Sequence, residues 1–207
     1  MNINEMLQSD DIFERIEALR DLDDQSLLIH IAMNDEEDLV RLHAVGRVTD
    51  SAALAQIAQK YHTDTSIVEK AIENISNQAD LIALMEFLKD KNTSLYYKAH
   101  NAIQDKDFLF SSMRNTNGRT AVGYGLRLHN LELSDSDKSE IWDKMRTEAE
   151  KDTALWLYMA LRLPESELVK RNLCLDKRTF ENEDQYGRHD DTAYTVFFNG
   201  NEVYYGR

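Results

Sequence analysis

Arg41-Leu-His-Ala-Val-Gly-Arg-Val48 sets a small residue, Ala44, four positions ahead of a bulky aliphatic, Val48, and the chain repeats this arrangement three more times. The counterparts are Arg15-Ile-Glu-Ala-Leu-Arg-Asp-Leu22, Val68-Glu-Lys-Ala-Ile-Glu-Asn-Ile75 and Tyr96-Tyr-Lys-Ala-His-Asn-Ala-Ile103. Ala18, Ala44, Ala71 and Ala99 fall in one column at intervals of 26, 27 and 28 residues. Residues four apart share a helix face, so each segment predicts a helix with a small position and then a large one on the same stripe. The alanine admits a neighbouring helix closely, and the aliphatic fills the space beyond it.

Two residues past each aliphatic stands Asp24, Asp50, Asn77 or Asp105, a short side chain suited to accept hydrogen bonds from the free amides of a helix start. Leu28, Leu54, Leu81 and Leu109 follow, then Ile31, Ile57 and Leu84, with Ala32, Ala58, Met85 and Met113 beside them. This i, i+3, i+4 spacing predicts the buried stripe of a second helix. The polar stretches 34–38, 61–65, 89–93 and 114–118 read as the loops between units. From Phe13 to Met113 the expectation is four consecutive two-helix repeats, each too small to hide its apolar stripe unless stacked on its neighbours.

The register resembles the HEAT family of α-solenoids, in particular the short bacterial variety related to the repeats of phycobilisome lyases. Asp38-Leu-Val-Arg-Leu-His-Ala-Val-Gly-Arg-Val-Thr-Asp50 is similar to that family's signature of Val-Arg, two variable residues and Ala. The resemblance implies that Asp38 and Arg41 tie adjacent units together. Arg15 keeps the arginine position, whereas Val68 and Tyr96 depart from it. The fold class expected is mainly α, a HEAT-like α-solenoid of stacked two-helix repeats with a C-terminal β-hairpin appendage. Residues 1–130 would form the solenoid, 131–175 further helices continuing or capping it, and 176–207 a polar loop and the hairpin.

In the second half, Thr120 to Leu128 offers a fifth first-helix segment weakened by Gly123 and Gly125. Helices are expected from Ser136 to about Lys151, from Thr153 to Arg162, and from Pro164 to near Leu173. Asp176 to Asp191 reads as an irregular charged loop. Tyr194-Thr-Val-Phe-Phe198 and Asn201-Glu-Val-Tyr-Tyr205 flank Asn199-Gly200, which predicts a hairpin pairing Val196 with Val203 and Tyr194 with Tyr205. An isolated hairpin is marginal, so it must dock on the helices or meet another chain. If it binds a partner, the residues in position are Tyr194, Phe197, Tyr204 and Tyr205 with the acidic Asp190 and Asp191.

The chain carries 24 Lys and Arg against 38 Asp and Glu, a net charge of −14, which repels nucleic acid and anionic lipid. Nucleic acid is therefore an unfavoured partner, although Lys60, Lys70, Lys89, Lys91 and Lys98 form the most basic tract. The single cysteine, Cys174, allows no intrachain disulfide and reads as a buried, inert thiol at a helix end. Residues 1–19 lack the pattern of a secretory signal, and no apolar run suits a membrane span, so a cytoplasmic protein without a membrane partner is expected.

His30, His43, His62, His100, His129 and His189 give no pair at helical metal-binding spacing. Asp184, His189, Asp190 and Asp191 read as solvated loop charge rather than a cation loop. No glycine-rich phosphate loop and no catalytic constellation stands out, so no catalytic, cofactor-binding or metal residues are assigned. The function expected is a non-enzymatic scaffold or adaptor with an acidic surface for a basic protein partner, in a narrower form an inhibitor or immunity-type protein. The alternatives are a tetrapyrrole-lyase-like enzyme, which the family resemblance alone implies, and a solenoid nucleic-acid-binding protein.

Overall fold

The computed structural model describes residues 2–184 and 187–206, without the side chains of residues 180–191. The described chain is mainly helical, with thirteen helices and a small three-stranded antiparallel sheet at its C-terminal end. It divides into two compact units, Met1–Gln104 and Asp105–Arg207.

The first unit holds α1 (Ile3–Leu7), α2 (Ile12–Arg20), α3 (Gln25–Asn34), α4 (Asp38–Val45), α5 (Ser51–Lys60), α6 (Thr65–Asn74), α7 (Gln78–Leu88) and α8 (Thr93–Ala102). Helix α2 packs on α4, α4 on α6 and α6 on α8, while α3 packs on α5 and α5 on α7. The close antiparallel pairs are α3 with α4, α5 with α6 and α7 with α8, so the tight hairpins span the loops that separate the sequence repeats. Ala18, Ala44, Ala71 and Ala99 are all buried. The aliphatics of the pattern are buried too, but they lie just past the helix rather than on its last turn. Leu22 and Val48 follow the ends of α2 and α4, and Ile75 and Ile103 are C-caps with extended backbone. Each one turns inward where the chain leaves one helix for the next.

Asp24, Asp50 and Asn77 cap α3, α5 and α7, each accepting from amides of the first turn at 2.9–3.3 Å. A second periodic device lies one residue further on. Gln25 accepts the amide of Thr49 at 2.9 Å, Ser51 accepts those of Ser76 and Asn77 at 3.1 Å each, and Gln78 accepts that of Gln104 at 2.6 Å. The first side chain of each of these helices thus holds the turn of the following repeat, satisfying amides that a turn would otherwise leave open.

The arginine expectation needs correction. Arg41 pairs with Asp38 within its own helix, donates to the carbonyls of Asp35 and Glu36 at 2.7 and 3.0 Å, and stacks over Tyr61. Arg15 makes the equivalent contacts one repeat earlier, donating to Asp35 Oδ1 at 3.3 Å and to the Ser9 carbonyl at 2.8 Å, while Arg47 reaches back across the repeats to the carbonyls of Arg20 and Leu22. A guanidinium presents five donors in a fixed fork and spreads over several acceptors, so a single Asp–Arg ladder is not the form the contact takes.

The second unit holds α9 (Lys106–Asn115), α10 (Gly118–His129), α11 (Asp135–Lys151), α12 (Ala154–Ala160) and α13 (Glu165–Lys170), followed by β1 (Leu173–Asp184), β2 (Gly187–Phe198) and β3 (Asn201–Gly206). Asp105 caps α9 through the Phe108 amide at 2.7 Å. Helix α10 tolerates its glycines for different reasons. A Cβ on Gly125 would lie 2.6 Å from Met145 Cγ and Sδ of α11, so the glycine is what lets these two helices approach. Gly123 has only Tyr158 Oη near it, at 3.9 Å.

Within the expected loop at Asp176–Asp191, residues 176–184 and 187–191 are instead strand, since 173–184 pair with 187–198. The polar side chains gave no apolar alternation from which to read it. The hairpin at Asn199-Gly200 is present with both residues at positive φ, the backbone of a type I′ turn. Its register differs from expectation: Val196 faces Tyr204 and Thr195 faces Tyr205, because Val203 is an extra residue between the pairs Phe197–Glu202 and Val196–Tyr204. This β-bulge lets the consecutive Val203 and Tyr204 both pack on the core, which strict alternation forbids. Leu173, Val196 and Phe198 face that core, with Phe198 stacked on Trp156 at 4.8 Å. The sheet therefore docks within its own unit, on α12 and α13. Cys174 is exposed, not buried: Leu173 and Leu175 take the inward positions of β1 and alternation turns the thiol outward.

Candidate functional site

The residues singled out on the hairpin do not gather into one surface. Tyr194 is half-buried and Tyr204 packs on the core, its ring lying against Gly206. Phe197 and Tyr205 stand on the opposite face of the sheet, where Tyr205 is 59% exposed. The side chains of Asp190 and Asp191, and of His189 and Asp184 with them, lie outside the described residues. Among the described residues no three His, Cys, Asp or Glu side chains converge on a position for a metal ion, and no helix is long and apolar enough to cross a membrane.

Charge in the first unit is strongly uneven. Twelve carboxylates lie within residues 1–38 against Arg15 and Arg20 alone, whereas residues 39–104 carry seven carboxylates and seven Lys or Arg. The acidic excess of this unit therefore resides in α1, α2, the turns that flank α3 and the first residue of α4. Part of it is structural: Asp11 and Asp24 cap helices, Asp35 holds Arg15, Asp38 holds Arg41 and Glu17 holds Arg20. Asp10, Asp21, Glu36 and Glu37 are exposed and form no ion pair among the described residues, and Asp23 reaches Arg47 only at 3.5 Å. The lysine tract is largely neutralised in place, since Lys98 pairs with Glu69 and Glu73, Lys70 with Glu73 and Lys89 with Glu86. Lys70 and Lys98 together hold the Glu73 carboxyl below its ordinary range, the Lys70 hydrogen bond being the larger cause.

A groove of about 350 Å³ crosses α2, α4 and α6. Ile16, Leu19 and Leu42 line it with apolar surface, and Arg20, His43, Arg47 and Lys70 stand around it with Gly46. Arg47 fixes two walls together by donating to the carbonyls of Arg20 and Leu22 at 2.5 and 3.2 Å. Gly46 has right-handed backbone, φ −62° and ψ −17°, so the turn itself does not demand a glycine. A Cβ here would stand 3.3 Å from the His43 carbonyl and 3.7 Å from that of Leu42, with the Lys70 stem at 4.0 Å, so the glycine relieves a tight backbone contact as well as leaving room beside Lys70. The sequence signal for this feature was Gly46 standing two residues after its column alanine, where the other repeats have Arg20, Glu73 and Asn101.

The second unit has a wider polar groove of about 620 Å³ lined by α9, α10 and α11. At its base Glu148, 3% exposed, accepts the amide of Gly118 at 2.9 Å and hydrogen bonds from Lys144 and Lys151 at 3.1 Å each. The Gly118 amide foremost, and the two ammonium groups after it, lower its pKa to about 2 against the cost of burial. A carboxyl so firmly ionised has no proton to give near neutral pH, and its work here is to anchor the start of α10. Arg114 clasps Glu140 through two hydrogen bonds at 2.6 and 2.9 Å, which lowers the Glu140 pKa, and Lys106 does the same to Asp137 at 2.7 Å. The groove's charges are thus committed to one another.

Comparison with known proteins finds no counterpart: no protein-family model matches the chain, and no curated protein or solved structure is significantly similar to it.

Proposed function

We propose that the protein is a non-enzymatic binding scaffold whose first unit is a short HEAT-like α-solenoid, and that its carboxylate-rich N-terminal end receives a cationic surface of a protein partner. The packing of α2, α4, α6 and α8 in one series and of α3, α5 and α7 in another, with all four column alanines buried, supports the stacked-repeat reading. The partner class rests on one observation, the confinement of the unit's acidic excess to residues 1–38. Like charges held together on a folded surface cost stability unless something of opposite sign meets them, and such a patch speeds encounter with a basic protein. An inhibitor or immunity-type protein that covers the basic site of a toxin is the narrow form of this reading.

The test is capture on the immobilised full chain from host lysate at low and high salt, beside a variant carrying Asp21→Asn, Asp23→Asn, Glu36→Gln and Glu37→Gln. The reading expects a stoichiometric basic protein, released by salt and retained about tenfold less by the variant. Equal capture by both forms at both salt concentrations would remove the electrostatic basis of the proposal.

A further inference from the structure

The groove across α2, α4 and α6 is rimmed by basic side chains, three of which also reach exposed carboxylates: Arg20 to Glu17, Arg47 to Asp23 and Lys70 to Glu73. In a unit with an excess of carboxylates, the partly exposed Leu42, lying over the buried Ile16 and Leu19, is bordered by Arg20, His43, Arg47 and Lys70, and no acidic side chain lines the groove. Arg20, Arg47 and Lys70 are not consumed by buried partners. Arg20 pairs with Glu17 and Lys70 with Glu73 only in exposed i, i+3 contacts, which are weak and exchange readily, and His43 pairs with no carboxylate among the described residues. The walls are set before any ligand arrives, because Arg47 ties the end of α4 to the carbonyls of Arg20 and Leu22. A preorganised wall lowers the ordering cost of binding.

We propose that this groove is a docking site for a segment of a partner protein that presents one or two large apolar side chains flanked by carboxylates. The apolar side chains would lie on Ile16, Leu19 and Leu42 in the space Gly46 leaves free, and the carboxylates would meet Arg20, His43 and Lys70. The groove is bordered by exposed side chains and stays open to solvent, which suits a segment whose own protein covers the open side better than a free alkyl chain that needs enclosure. The inference goes beyond the cationic-partner reading and is independent of it, since the two sites differ in sign.

The experiment uses the full chain and short fluorescein-labelled peptides of equal length: one alternating Leu and Phe with Glu, one with Lys replacing Glu, and one with Ala replacing the apolar residues. Anisotropy should show binding of the first peptide alone, and amide NMR shifts should centre on Leu42, Gly46 and Lys70. Gly46→Leu should weaken binding about tenfold by filling the floor. The exposed double change His43→Glu with Lys70→Glu should weaken it similarly, and its circular dichroism melt provides the check that the fold is kept. Equal binding of the Glu and Lys peptides, binding indifferent to both variants, or saturable binding of decanoate in preference to the peptide would each overturn the proposal. Neutralising Asp21, Glu36 and Glu37, with Asp23 kept because it pairs with Arg47, should leave peptide binding in place, which separates this site from the acidic end.

Discussion

Glu148 shows what one residue contributes when a buried carboxylate is met by a backbone amide and two lysines. Its pKa in the folded chain, about 2, lies below the ordinary 4.5, so the folded state is favoured by its ionisation above that ordinary value. The contribution is about 3 kcal/mol, is present above about pH 4.5, and is lost as pH falls through about 2. Thermal melts between pH 7 and pH 2 should therefore steepen at the acid end, and Glu148→Gln should flatten that portion while lowering the melting temperature at neutral pH. The glycines of α10 make an opposite pair. Gly125→Ala drives a Cβ into Met145 and should cost about 1 to 2 kcal/mol, partly relieved when Met145→Ala is added. Gly123→Ala meets only Tyr158 Oη, at an ordinary contact distance of 3.9 Å, and should stabilise the helix by about 0.5 kcal/mol, both read from urea unfolding.

Among elements, the turn-to-turn hydrogen bonds made by Gln25, Ser51 and Gln78 are the ones open to a direct test. Ser51→Ala removes the acceptor of two amides at once and should cost about 1 kcal/mol, with hydrogen exchange accelerating at Ser76 and Asn77 and unchanged near Gln104. These contacts escape a sequence reading because Gln and Ser after a cap look like ordinary polar surface. The helices themselves were legible because alanine, aliphatic and Asp or Asn recur in fixed order, and each link of that order has a separate physical cause in packing, inward turning or capping. The long strands β1 and β2 were not legible across residues 176–191, where charge hides the period of two. Cys174 was misjudged for the same reason: taken as the end of a helix it faces inward, and taken as strand it faces out. The cation-rimmed groove was hidden because its members come from three helices and only Gly46 departs from its column.

For the whole molecule, the uneven charge has a measurable cost. Replacing Asp21, Asp23, Glu36 and Glu37 by their amides should raise the melting temperature at low ionic strength, and the gain should vanish in molar salt, where screening shortens to about 3 Å. A gain that persists in molar salt would mean that helix termini, and not mutual repulsion, set the effect. The acidic surplus also keeps molecules apart in solution, yet a sheet that ends in open backbone can defeat such repulsion by recruiting strands from its neighbours. One rim is β3, only six residues long and kinked by the extra Val203, so its free amides and carbonyls do not present an even row. An incoming strand would find no straight ladder to extend on that side, so the interruption that lets two side chains reach the core also blunts this edge.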